Sequence, residues 1–299
     1  MTKDWTFAGT WPHPPQWFDT ADGRMHYVDV GPRGGRPVVL VHGNPSWGYL
    51  FRHFVAPLVA AGHRVIVPDH LGFGRSDKPD RPNVYAIARH AQRLEALLES
   101  LALKHVTLVP HDWGGPIALS WATRHPARIA ALALLGTFVH RPRGPVPMPF
   151  PLRLFRMRGI GELLVRGLHA VLRGFLFGAG TMERDRLGPT ERAAYLAPHP
   201  TYASRAAVLA FARDFPAGPR GEVADLLASI HARLGALATR PTLLVWAGRD
   251  AVIGADGLAA FLADFPAAEV LEVPEAGHFI QEDAHEVVVP ALLAFLADR

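Results

Sequence analysis

The chain has 299 residues, 49% of them apolar, which suits one large domain or one domain carrying an insertion. It has no cysteine, which excludes disulfides and Cys-ligated metals, and the arginines behind its formal charge of +4 are scattered without interleaved aromatics, arguing against nucleic-acid binding. No apolar run approaches membrane-spanning length and the start M-T-K-D-W-T-F has no signal-like apolar core, so a cytoplasmic protein with no transmembrane segment is expected.

Residues 11–16, rich in proline, read as an arm over the domain. Residues 25–30 alternate like a half-exposed strand, 38–41 read as a buried strand, and 47–61 have helical spacing. A strand at 64–67 enters the loop P-D-H-L-G-F-G-R-S-D. Residues 85–103 form an amphipathic helical pattern, followed by a strand at 105–109, a helix from 114 and a strand at 129–135. This alternation predicts the α/β class, with a mostly parallel sheet covered on both faces. The rhythm breaks near 139: residues 140–217 hold proline-rich joints, Arg-rich helical patterns and no clear strand. It resumes with a helix at 222–237, a strand at 242–246, a helix at 258–265, a strand at 269–273 and a helix at 284–297. The expected organisation is a core built from 1–138 and 218–299, with a helical cap at 139–217 inserted after the sixth strand. Such a cap lies over the C-terminal strand edge, where α/β sheets place ligands. Its stretch 141–173 carries seven arginines against Glu162 alone and reads as a solvated helical face, with weak membrane-surface or protein contact as the other use.

The chemistry centres on V-T-L-V-P-H-D-W-G-G, residues 106–115. A β-branched run ends in a sharp turn and two glycines open a helix, the geometry of a nucleophile elbow with Asp112 at the position usually held by serine. Asp112 as a helix N-cap is the structural alternative. Asp250 ends L-L-V-W-A-G-R-D just past a strand, and His278 lies in E-A-G-H-F after the last strand, giving the chain order nucleophile, acid, base. An aspartate is ionised near neutrality and needs no base to attack. His278 is then free to activate water against an ester on Asp112, with Asp250 fixing its tautomer. None of the six serines sits in G-x-S-x-G, and His285-Glu286 lacks the second histidine of a zinc protease, so no metal and no cofactor are expected. In H-G-N-P-S-W, Asn44 occupies the loop that supplies one oxyanion donor and Trp113 follows the nucleophile, so the pair can hold a departing halide ion.

These motifs together resemble the haloalkane dehalogenases of the α/β-hydrolase superfamily, most closely over residues 38–140. The resemblance implies Asp112 as nucleophile, His278 as base, Asp250 as acid after the seventh strand, and Asn44 with Trp113 as the halide-stabilising pair, since no tryptophan lies in the cap. It implies a small apolar haloalkane as substrate, with water consumed and alcohol, halide and a proton released. Phe211, Phe215 and Phe279 are expected pocket walls. Three alternatives share the motifs: a β-lactone decarboxylase of long-chain olefin biosynthesis, an epoxide hydrolase using cap residues Tyr195 and Tyr202, and a catalytically silent ligand-binding relative.

Overall fold

The computed structural model describes residues 3–146 and 148–297. Eight strands form one sheet: β1 (Gln16–Thr20), β2 (Gly23–Val30), β3 (Pro37–Val41), β4 (Arg64–Pro68), β5 (Val106–Asp112), β6 (Ile129–Thr137), β7 (Thr242–Ala247) and β8 (Glu269–Val273). Their order is β1-β2-β4-β3-β5-β6-β7-β8. The β1–β2 and β2–β4 pairs are antiparallel and the others parallel. β3, β5 and β7 are buried along their whole length, as parallel strands are when helices cover both faces.

The ten α-helices among the described residues are α1 (Arg52–Ala60), α2 (Ile87–Ser100), α3 (Gly114–Ala122), α4 (Phe150–Arg156), α5 (Pro189–Leu196), α6 (Ala206–Asp214), α7 (Glu222–Leu234), α8 (Ala255–Asp264), α9 (Ile280–Asp283) and α10 (His285–Leu296). α1 packs on α10, and α2 packs on α3 and α7. Between β6 and β7 the described residues contain helices and no strand, including π-helical turns at Glu162–Gly167 and Val171–Ala179.

Several boundaries differ from the sequence expectation. The arm at 11–16 leads into an additional strand, β1, which pairs with β2 across a tight Ala21-Asp22 turn. The Asp22-Gly23 dipeptide at that turn is a hairpin signal. The pattern at 85–103 divides because Ala86 is extended (ψ 139°), leaving a 3-10 turn at Pro82–Tyr85 before α2. The pattern at 47–61 likewise opens with a 3-10 turn at Gly48–Phe51. A short helix, α9, precedes the expected C-terminal helix and is separated from α10 by Ala284 (φ −148°).

The topology positions the site. From β3 the chain moves outward to β4, then crosses back so that β5 lies on the other side of β3. A crevice opens at such a reversal, beyond the C-terminal strand ends. The loop after β3 and the end of β5 meet there. On the outer surface of the helical segment, Phe150, Met157, Ile160, Leu163 and Leu168 are exposed. Among the described residues no helix is long and apolar enough to cross a membrane.

Candidate active site

Asp112 is the last residue of β5 and adopts φ +52°, the left-handed region that costs a non-glycine residue about 1–2 kcal/mol. The pairing of β5 with β6 shifts register between His111 and Asp112, so the strand kinks there. The turn is held open to strain by close packing: a Cβ on Gly114 would overlap the Val41 carbonyl, and one on Gly115 would overlap the Thr137 hydroxyl. That hydroxyl donates to the Asp112 carbonyl at 2.6 Å. Asp112 does not cap α3: the N-cap is Trp113 and makes no side-chain cap bond. The carboxylate points instead into the crevice, where Oδ1 accepts the Asn44 backbone N–H at 2.9 Å and Oδ2 lies 3.5 Å from His278 Nε2.

The loop beneath Asn44 is built to hold this position. His42 donates from Nδ1 to the Gly43 carbonyl (2.8 Å) and accepts the His70 backbone N–H at Nε2 (3.0 Å), tying the loops after β3 and β4 together. A Cβ at Gly43 would overlap the Asp112 carboxylate. We expect Gly43→Ala to lower kcat/KM by about 100-fold, the scale of an ångström-sized misplacement of a reacting group, in a steady-state assay of folded protein.

His278 is buried and donates from Nδ1 to Asp250 Oδ2 at 2.8 Å. Asp250 Oδ1 accepts the N–H groups of Val252 (2.7 Å) and Ile253 (3.0 Å), so both oxygens are engaged. Burial opposes charge on His278, but the Asp250 charge, the Asp112 carboxylate 3.5 Å away and the Nδ1 hydrogen bond to Asp250 outweigh it and raise its pKa to about 10. Burial likewise opposes ionisation of Asp250, yet the His278 charge and the two N–H donors hold its pKa below the ordinary value. His111, buried beside the imidazolium, is pushed down to about 4 by burial and then by the His278 charge. It is therefore a neutral donor at neutral pH, and its Nε2 bonds the His278 carbonyl at 2.8 Å.

Because the folded-state pKa of His278 is raised, its contribution to stability is full below about pH 6.5 and is lost as pH rises through about 10. His278→Gln should flatten the fall in Tm between pH 7 and 10 relative to the unsubstituted protein, by a few °C in calorimetry.

Trp113 is buried, with its ring against Phe138 (4.9 Å between centroids), Phe211 (6.0 Å) and Phe215 (6.3 Å). Phe279 lies 5.0 Å from His278 and 6.0 Å from His111. The three phenylalanines picked from the sequence thus fall on two sides of the crevice, Phe211 and Phe215 by Trp113 and Phe279 by His278. Two further aromatics line it: Phe138, directly after β6, and Phe175, whose ring sits 5.3 Å from His278. A cavity of about 310 Å³ opens on the far side of Phe215, lined by Ile87, Arg156, Arg213, Asp214 and Glu222 and by none of Asp112, His278 and Asp250.

The tyrosines an epoxide hydrolase would need are engaged elsewhere. Tyr195 is buried and donates to Glu282, which also takes two bonds from Arg52 at 2.5 and 2.6 Å. Tyr202 is half exposed, with the Arg166 guanidinium 4.1 Å over its ring.

Residues 36–285 match the family model described as alpha/beta hydrolase fold. The chain is similar to a cis-3-alkyl-4-alkyloxetan-2-one decarboxylase from Xanthomonas campestris pv. campestris, with 38% identity covering 94% of this chain and 95% of that one. It is also similar to a haloalkane dehalogenase from Mycobacterium marinum, with 36% identity covering 89% and 86%. The crystal structure of haloalkane dehalogenase DbeA from Bradyrhizobium elkani superposes with a TM-score of 0.86 at 29% identity, covering 95% of this chain and 98% of that one.

Proposed function

Because the chain belongs to the haloalkane dehalogenase family of the α/β-hydrolase superfamily, we propose that it is an enzyme in which Asp112 forms a transient ester with a saturated carbon of its substrate. The observation that carries this reading is the Asp112 carboxylate itself, held at a strained turn between the Asn44 N–H and the His278 imidazole. We place a cis-3,4-dialkyl β-lactone ahead of the haloalkane expected from the sequence. The support is the similarity to the decarboxylase, at 38% identity against 36% for the dehalogenase.

In this reading an Asp112 oxygen bonds to C4 of the lactone as the C4–O bond breaks. The electron pair goes to the ring oxygen, leaving a free carboxylate on C3. Asn44 and Trp113 supply N–H donors to that carboxylate as it forms. The C3–carboxylate bond then breaks to release carbon dioxide, its electrons form the C3=C4 bond, and the C4–O bond returns its pair to Asp112. The imidazolium of His278 favours this last step, because negative charge returns to Asp112 beside it. No water is consumed and no proton moves. Inversion at C4 followed by anti elimination converts a cis ring into a cis alkene.

Dehalogenation remains the second reading, favoured by the Asn44/Trp113 pair and by the likeness to DbeA. Here halide leaves toward those donors, and alkylation removes the Asp112 charge beside His278. Its pKa then falls, and it can take a proton from the water that hydrolyses the ester. Small apolar substrates suit both readings, and the aromatic walls suit them equally. The test is product analysis of purified enzyme given either a cis-3,4-dialkyl β-lactone or a 1-bromoalkane. Cis alkene with carbon dioxide is the expected result. Bromide and alcohol with no alkene would select dehalogenation, and saturable binding without turnover of either compound would overturn both.

A further inference from the structure

Outside this crevice, three side chains from distant parts of the sequence converge on one point. His140 lies just past β6, where the chain leaves the sheet; His231 is in the last turn of α7; Asp264 is the last residue of α8. His140 Nε2 is 2.6 Å from Asp264 Oδ2, and His231 Nε2 is 3.3 Å from Asp264 Oδ1. The two imidazole nitrogens and a carboxylate oxygen all lie within 4.8 Å of one another. His140 and Asp264 are mostly covered while His231 is half exposed, so the point is anchored yet reachable from solvent. The His140 ring is fixed from behind by the buried Phe261, edge-on at 5.0 Å.

We propose that His140, His231 and Asp264 form a binding site for a divalent transition metal of the zinc class. Two imidazoles and one carboxylate form a donor set that zinc accepts, with a fourth position left for water. A calcium or magnesium site would be built from oxygens alone. Tetrahedral zinc with bonds of about 2.0–2.1 Å separates its ligand atoms by about 3.4 Å. The two imidazole–carboxylate separations, 2.6 and 3.3 Å, lie below that value and all three ligand atoms lie within 4.8 Å of one another, so small torsions of side chains already aimed at one another complete the site. The electrostatics agree, because the C-terminal ends of α7 and α8 carry the negative ends of their helix dipoles and both meet here. Arg143 is close enough to lower the His140 pKa and is a positive charge acting against the site. Metal entry replaces the two imidazole–carboxylate hydrogen bonds with metal–ligand bonds: each Nε2 gives up its proton to solvent, and the metal-bound imidazole carries its one proton on Nδ1. The consequence is a clamp: the first residues after β6, which include Phe138 against Trp113, become tied to α7 and α8.

The full-length protein, stripped with a chelator, tests this by zinc titration in calorimetry and by Tm with zinc or magnesium. We expect one equivalent of zinc to bind and to raise Tm, with no effect of magnesium. His231→Ala and Asp264→Asn should each weaken zinc binding by at least about tenfold and abolish the zinc-dependent rise in Tm. His285→Ala, which alters the separate His53–His285 stack, should bind zinc as the parent does. Absence of zinc binding at about 100 µM, or binding undiminished in folded His231→Ala, overturns the site. A Tm loss in His231→Ala that is the same with and without zinc reduces the cluster to a hydrogen-bonded bridge and overturns it as well.

Discussion

Asp112→Ala is expected to lower turnover of the β-lactone, and of any haloalkane that is accepted, by about 10⁴-fold or more, because no other group can form the carbon–oxygen bond. The fold should survive the change. Asp112 makes one side-chain hydrogen bond, to the Asn44 N–H, and stands 3.5 Å from His278. Removing it leaves an alanine at φ +52° and frees His278 from one of its two carboxylate neighbours. Circular dichroism and a Tm within a few °C of the parent would show that the loss is chemical. Retained turnover in the alanine variant would exclude the ester intermediate outright.

His278→Gln should separate bond formation from bond release. Asp112 is an acceptor without help from a base, so the first displacement should proceed. Release should slow by about 10³-fold, since the charge returning to Asp112 in one reading, or the water proton in the other, loses its partner. Rapid-quench kinetics should therefore show a burst of about one equivalent of consumed substrate followed by a slow phase. The glutamine is chosen because it can still hydrogen-bond Asp250, whose other oxygen stays bound to the Val252 and Ile253 N–H groups. Loss of the burst together with the steady rate would place His278 in the first step.

The parts of this site legible in the sequence are those fixed by local backbone geometry. Asp112 ends β5, Asp250 and His278 lie in the loops just after β7 and β8, and glycines mark the two tight approaches at Gly114 and Gly115. The sheet was legible from its short apolar runs, Val38–Val41 in β3, Leu108–Val109 in β5 and Leu243–Ala247 in β7. Less legible was anything decided by how the helical segment lies on the sheet. Phe175 reaches His278 through a π-helical turn whose pattern alone gives no direction, and Phe138 faces Trp113 only because β6 ends one residue earlier. The buried Arg52–Glu282–Tyr195 contact joins α1, α9 and α5 across more than 80 positions of sequence. The His140–Asp264–His231 cluster is equally non-local. The helix break at Ala86 has no glycine or proline at the break itself, so the apolar periodicity runs through it.

Mass spectrometry after acid quench tests the covalent step most directly. His278→Gln protein mixed with a cis-3,4-dialkyl β-lactone should gain the full mass of the lactone, and digestion should locate the added mass on the peptide containing Asp112. Alkene formed in that sample with Asp112 unmodified throughout, or the adduct found on another residue, would contradict the account.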